Sequence, residues 1–223
     1  MSGANESSLA KSLITIHKVI TRGLEVARGH SQSSVEQGLP DVSLRSGFVS
    51  YLRAFVSVTH AHHLTEDELF FPYFREKIPE APFDLLTAQH REVARLLDEM
   101  EPAIHEADRD PQAIEPFSRL GRIAAELGEI WHPHIAKEES IFSPERVNAT
   151  VAPDEQLRLI KLATEHNMKN SGPDYLVVPF VLYNLSPEDR ATLADGMPPI
   201  VTQQLVPVAW KEKWEPMSPF LLG

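Results

Sequence analysis

Residues 62–72 read His62-His-Leu-Thr-Glu66-Asp-Glu-Leu-Phe-Phe-Pro72, and residues 134–142 read His134-Ile-Ala-Lys-Glu138-Glu-Ser-Ile-Phe142. Each stretch places a histidine and a glutamate four residues apart, one turn along the same face of a helix. Around each pair the apolar residues recur at steps of three and four. One stripe is Leu52, Phe55, Thr59, His62, Glu66, Leu69, Tyr73; the other is Phe117, Leu120, Ala124, Leu127, Trp131, His134, Glu138, Ile141. The period is that of an amphipathic helix, and it demands core side chains where the histidines and glutamates stand.

Two further stripes carry one histidine each. The first is Leu13, His17, Ile20, Leu24, Ala27, and the other is Phe83, Leu86, His90, Val93, Leu97, Met100, Ile104. His17 and His62 are 45 residues apart, and His90 and His134 are 44 apart. The chain therefore reads as two copies of one unit: a helix with a histidine, then a helix with His-x-x-x-Glu. Breaks are expected at the Ser-, Gly- and Pro-containing run 29–41, at Pro79 and Pro82, and at Asp110-Pro111. The predicted fold is all-α: an antiparallel up-down four-helix bundle over residues 1–145. A C-terminal region, residues 146–223, is predicted to be a cover of short helices packed on it. Its helices are expected after Pro153, near Asp174, at a capped start Ser186-Pro-Glu-Asp189, and near Pro199.

Such a bundle would bring four imidazoles and two carboxylates together. Two ionised carboxylates in an apolar core cost on the order of several kcal/mol each unless a charge compensates them. No pair of lysines or arginines shares these stripes, so metal cations are the expected compensation. Imidazole plus carboxylate suits iron, manganese or zinc. A single core histidine or one His-x-x-x-Glu pair is commonplace; six such residues in register on four stripes are not. His17, His62, Glu66, His90, His134 and Glu138 are the expected metal ligands.

Composition narrows the function. A net charge of -11 argues against a nucleic-acid partner. The chain has no cysteine, which removes disulfides, thiolate metal sites and cysteine nucleophiles. Residues 1–10 lack a signal-peptide pattern, and the longest apolar run, 175–183, contains Pro179 and is too short to span a bilayer. A cytoplasmic protein without a membrane partner is expected.

The ordered set His, His-x-x-x-Glu, His, His-x-x-x-Glu over residues 9–145 resembles the hemerythrin-like, or HHE cation-binding, family. The resemblance implies two iron ions joined by an oxo or hydroxo group, with Glu66 and Glu138 bridging them and the four histidines as terminal ligands. Oxygen-carrying hemerythrins have a fifth histidine one turn after the third-helix ligand, where this chain has Ala94. That departure favours reaction with, or sensing of, dioxygen, peroxide or nitric oxide over reversible oxygen carriage. His166, with Glu165, is the candidate to fill the gap. The family's iron–sulfur repair members carry an N-terminal cysteine region, which is missing here.

The functions expected are therefore a di-iron protein that binds or reduces a small oxidant, a di-iron oxygenase whose organic substrate is enclosed by the C-terminal region, or a non-enzymatic iron or oxygen sensor. His63, about 100° around the helix from His62, is expected not to be a ligand and to sit at a helix flank with His60 and His132. His30 and His105 are expected in or beside loops, in solvent. Pro133 should kink the fourth helix beside His134. Tyr51, Tyr73, Trp131 and Phe70 are candidates to line the pocket, and Glu139 and Asp67 to be solvated or to hydrogen-bond the ligands.

Overall fold

The computed structural model describes residues 8–38, 41–110 and 112–223. Among these there is no strand, and the chain is all-α. Four long helices dominate: α1 (Ser8–Gln37), α2 (Val42–Thr65), α4 (Phe83–Arg109) and α5 (Glu115–Ile141). α2 runs through a π-helical turn (Glu66–Phe70) into the short α3 (Phe71–Arg75). Asp41 starts α2 by accepting a hydrogen bond from the Leu44 amide at 2.9 Å, and α4 begins directly after Pro82. The four long helices touch in a closed ring: α1 on α5, α5 on α4, α4 on α2, and α2 on α1.

Beyond residue 143 the chain forms α6 (Pro144–Thr150), α7 (Pro153–Asn170), α8 (Asp174–Tyr183) and α9 (Pro187–Asp195). A π-helical stretch (Val201–Ala209), α10 (Lys211–Trp214) and a 3-10 helix (Glu215–Phe220) follow. The starts at Pro153, Asp174 and Ser186 are those expected; the Ser186 hydroxyl accepts from the Asp189 amide at 3.2 Å. These elements lie on the α1 and α2 side of the ring, with α7 on both helices and α8 and the 3-10 helix on α2. A buried hydrogen bond, Tyr51 hydroxyl to Asn184 Oδ1 at 2.7 Å, ties α2 to the end of α8. Tyr51 is thus a structural contact rather than a lining residue of the histidine cluster. No helix among the described residues is long and apolar enough to cross a membrane.

Three expectations are corrected here. The run 29–41 does not end α1 at Gly29; the helix continues to Gln37. Tertiary contact overrides the weak propensity of Gly29 and the serines: Ser31 and Ser34 are buried, and His30 packs against the rings of Phe48 (4.4 Å between centroids) and Phe220 (4.8 Å). His30 is therefore neither in a loop nor freely solvated, and His105 lies exposed on α4. After Glu66 the buried stripe does not continue through Leu69 and Tyr73 but through Phe71 and Phe74. A π turn holds an extra residue, so every later side chain is rotated by about one position.

Burial holds the His30 imidazole below its ordinary pKa of 6.5, and its Nε2 lacks a hydrogen-bond partner. A base with a depressed folded pKa binds fewer protons folded than unfolded, so His30 withdraws stability as pH falls through the unfolded value. Thermal unfolding of the wild type should therefore fall more between pH 7.5 and 5 than that of His30→Leu. Parallel declines would refute the assignment. At the same end of the ring, a Cβ on Gly47 would lie 1.9 Å from the Pro216 carbonyl oxygen. Gly47→Ala should lower stability by roughly 1–3 kcal/mol or release the C-terminal 3-10 helix, read by urea unfolding and by proteolysis after residue 210.

Two apolar clusters fill the ring. One includes Val19, Phe55, Leu97 and Trp131; the other includes Leu13, Phe74, Leu86 and Ile141. On every long helix the histidine and glutamate positions fall between these clusters. Their order alternates from helix to helix, with the second cluster preceding His17 on α1, following Glu66, preceding His90 on α4, and following Glu138 on α5.

Candidate metal centre

All six side chains singled out in the sequence converge on this belt, and none is more than 4% exposed. His17 comes from α1, His62 and Glu66 from α2 and its π turn, His90 from α4, and His134 and Glu138 from α5. A seventh joins them. His63, 5% exposed, stacks on His90 with ring centroids 4.0 Å apart and planes 13° from parallel. Phe71 covers the other face of His90 at 5.2 Å.

His63 corrects the expectation that it points away. Measured from His62 it is about 100° around the helix, but measured from Glu66 the two histidines straddle the carboxylate, about 40° to one side and 60° to the other. Glu66 therefore faces both rings. The signal was available in the sequence: an i,i+3 and an i,i+4 histidine before one buried glutamate. Ala94 removes the fifth imidazole from α4, and His63 supplies one from α2. His166 does not fill that role. Its Nδ1 lies 2.9 Å from the Thr65 hydroxyl and its Nε2 lies 2.9 Å from Glu68, while Glu165 is exposed beside Lys161. His60 is half-buried near Asp98 and His132 is exposed, as expected of flank positions.

The seven residues form two groups that could each hold a metal ion, with all donor atoms within 4.8 Å of one another. One group is His17, His62, Glu66 and Glu138; the other is His63, Glu66, His90 and His134. Glu66 belongs to both, and its Oε2 is 3.4 Å from His62 Nε2 and 3.5 Å from His90 Nε2. Glu138 also spans them, with oxygens 3.3 Å from His17 Nε2, 3.3 Å from His134 Nε2 and 3.6 Å from His90 Nε2.

The outer nitrogens are held from behind. His17 Nδ1 donates to Glu139 at 2.9 Å, His134 Nδ1 donates to Gln89 at 3.1 Å, and His90 Nδ1 is 3.1 Å from Asp67. The Thr87 hydroxyl steadies Asp67 at 2.8 Å. For His17 and His134 the partner is an acceptor, so it fixes the proton on Nδ1 and turns the Nε2 lone pair inward. Trp131 packs edge-on to His17 at 5.6 Å and anchors its indole N–H on the Thr21 hydroxyl. It therefore walls the cluster, as expected.

Without a cation this arrangement is costly. The Nε2 atoms of His17, His62 and His63 and all four oxygens of Glu66 and Glu138 are buried without a hydrogen-bond partner. His90 Nε2 and His134 Nε2 face each other at 3.1 Å, two like groups competing for one proton. Burial pushes the Glu66 carboxyl well above its usual range, with Glu138 and Asp67 adding to the rise. Burial acts the same way on Glu138, but the nearby imidazoles of His134, His17 and His90 outweigh it and hold that carboxyl well below its usual range. Burial likewise drives His62 and His63 well below 6.5, with neighbouring histidines adding to the shift. Converging imidazoles and a pair of acids with unmet acceptor atoms are the donor set a divalent or trivalent cation requires. The residues fit a metal centre.

Comparison with known proteins agrees. No curated protein and no solved structure matches the chain. The family model of the hemerythrin HHE cation-binding domain matches residues 8–145, well over half of the chain and all four long helices. The belt of buried histidines and glutamates between two apolar clusters could hold metal ions, and the chain belongs to the hemerythrin HHE cation-binding family.

Proposed function

We propose that the protein carries a di-iron centre on His17, His62, His63, Glu66, His90, His134 and Glu138, and that this centre binds or reduces a small oxidant: dioxygen, peroxide or nitric oxide. The four long helices are read as an antiparallel up-down bundle spanning residues 1–145, with residues 146–223 as its cover. The ring of contacts and the alternating order of the two apolar clusters support that reading.

One observation carries the proposal: seven buried side chains from four helices converge in two groups that share a carboxylate, and five of them, His17, His62, His63, Glu66 and Glu138, have inward donor atoms without a hydrogen-bond partner. Two irons there would supply one-electron chemistry and coordination positions open to a small ligand. The chain's own residues set what surrounds them. Glu66 and Glu138 place negative charge between the groups, and Glu139 and Gln89 keep the His17 and His134 imidazoles in one tautomer. The groups are unequal. His63, His90 and His134 give one side three imidazoles, whereas His17 and His62 give the other only two. A metal held by the His17–His62 group would therefore have one imidazole fewer than one held by the other group.

Metal analysis of protein from iron-replete cells should find two irons per chain, with near-ultraviolet oxo-to-iron absorption that changes on adding one of the three oxidants. Manganese or zinc in place of iron would overturn the di-iron assignment. An iron-loaded protein whose spectrum ignores all three molecules would overturn the oxidant assignment.

A second reading, oxygenation of an organic substrate, has one observation in its favour. A cavity under the C-terminal elements reaches His62 on the two-imidazole side. An oxygenase would consume oxygen only when both substrate and reductant are present.

A further inference from the structure

The cavity that reaches His62 has a volume of about 610 Å³, within the roughly 300–1,000 Å³ of sites that take small organic molecules. Its walls come from both parts of the chain. Ile16 and Val19 of α1 and Val58 of α2 face Val178 and Val181 of α8 and Leu193 of α9, with α7 closing a further side. His62, Thr65 and Phe70 lie among its lining residues. The cavity opens to solvent past Lys11, Ser12 and Met168, which are exposed, so a ligand has a way in to the aliphatic walls behind them.

Charge near the cavity is sparse and uneven. Among the described lining residues Lys11 is the only lysine or arginine and Asp189 the only acid. Asp189 is bound by Lys18 at 2.8 Å, and among the described residues Lys11 makes no ion pair.

We propose that this cavity binds an elongated apolar molecule bearing a single carboxylate, the apolar body between α1, α2 and α8 and the carboxylate at Lys11. Aliphatic walls reward burial of a hydrocarbon body by area, and the uncompensated lysine selects the sign of the polar end. The position of the ligand beside a metal rests on the reading above; its binding in the cavity does not.

Titration calorimetry of the purified full-length protein with decanoate, decan-1-ol and decyltrimethylammonium tests it. Decanoate should bind once per chain, decan-1-ol at least about tenfold more weakly, and the ammonium compound not at all. Lys11→Gln should reduce decanoate to the affinity of the alcohol. Ala163→Trp and Ser12→Trp fill the cavity from opposite walls, α7 and α1, and each should weaken decanoate by at least about tenfold, with helical circular dichroism and metal content unchanged. Two walls are used so that one misfolded variant leaves the other to decide. No saturable decanoate binding, binding undiminished in a folded wall variant, or alcohol and ammonium binding as tightly as the acid would each overturn the proposal. Metal content and oxidant spectra are read separately, so loss of the di-iron reading leaves this result standing, and the reverse.

Discussion

Replacing Glu138 by alanine should empty both metal positions. Its two oxygens lie within 3.6 Å of imidazoles from both groups, so no other side chain can supply charge to both positions except Glu66. The loss is also electrostatic: the imidazoles of His134, His17 and His90 hold the Glu138 carboxyl well below its usual range, whereas burial pushes that of Glu66 well above it. Without Glu138 a dication would have to be held by imidazoles and one reluctant acid in an apolar core. Metal affinity should fall well beyond the roughly 10–100-fold that loss of an outer hydrogen-bonding partner costs. Glu139→Gln, which only loosens the grip on His17 Nδ1, should stay inside that range. Metal content after dialysis and competition with a chelator separate the two cases. A Glu138→Ala protein that keeps its full metal complement would remove the shared-carboxylate geometry from consideration.

The second large effect is expected at His63. His63→Leu keeps the volume and apolar character that α2 needs but takes one of three imidazoles from the group with His90 and His134. Metal content should drop toward one ion per chain, with the His17–His62 position retained. His132→Leu, on an exposed residue next to a ligand, should keep both. Full metal content and an unaltered absorption spectrum in His63→Leu would return that residue to a packing role.

His63 also marks where sequence reading stops. The periodic stripes located His17, His62, Glu66, His90, His134 and Glu138, because a buried polar residue at an apolar position is visible as a break in pattern. His63 breaks no pattern; it stands beside a residue already assigned, and only its angle to Glu66 brings it inward. The π turn after Glu66 is equally silent, since the sequence offers the regular α-helical spacing Glu66, Leu69, Tyr73, whereas the buried set Glu66, Phe71, Phe74 steps by five and then three. The continuation of α1 past Gly29 depends on Phe48 and Phe220, which lie far along the chain. The caps at Asp41 and Ser186 are local chemistry, and the Ser186 start was legible for that reason.

From the amino-acid order alone came the all-helical class, the four long helices and the six polar positions, because a period of 3.6 residues and the cost of burying charge are local and hold in any helix that faces a core. What only folding in three dimensions decided was the unequal division into two and three imidazoles and the apolar cavity beside His62. Each of these arises from the relative rotation and stacking of helices distant in the chain, a quantity to which residue spacing within any one helix is blind.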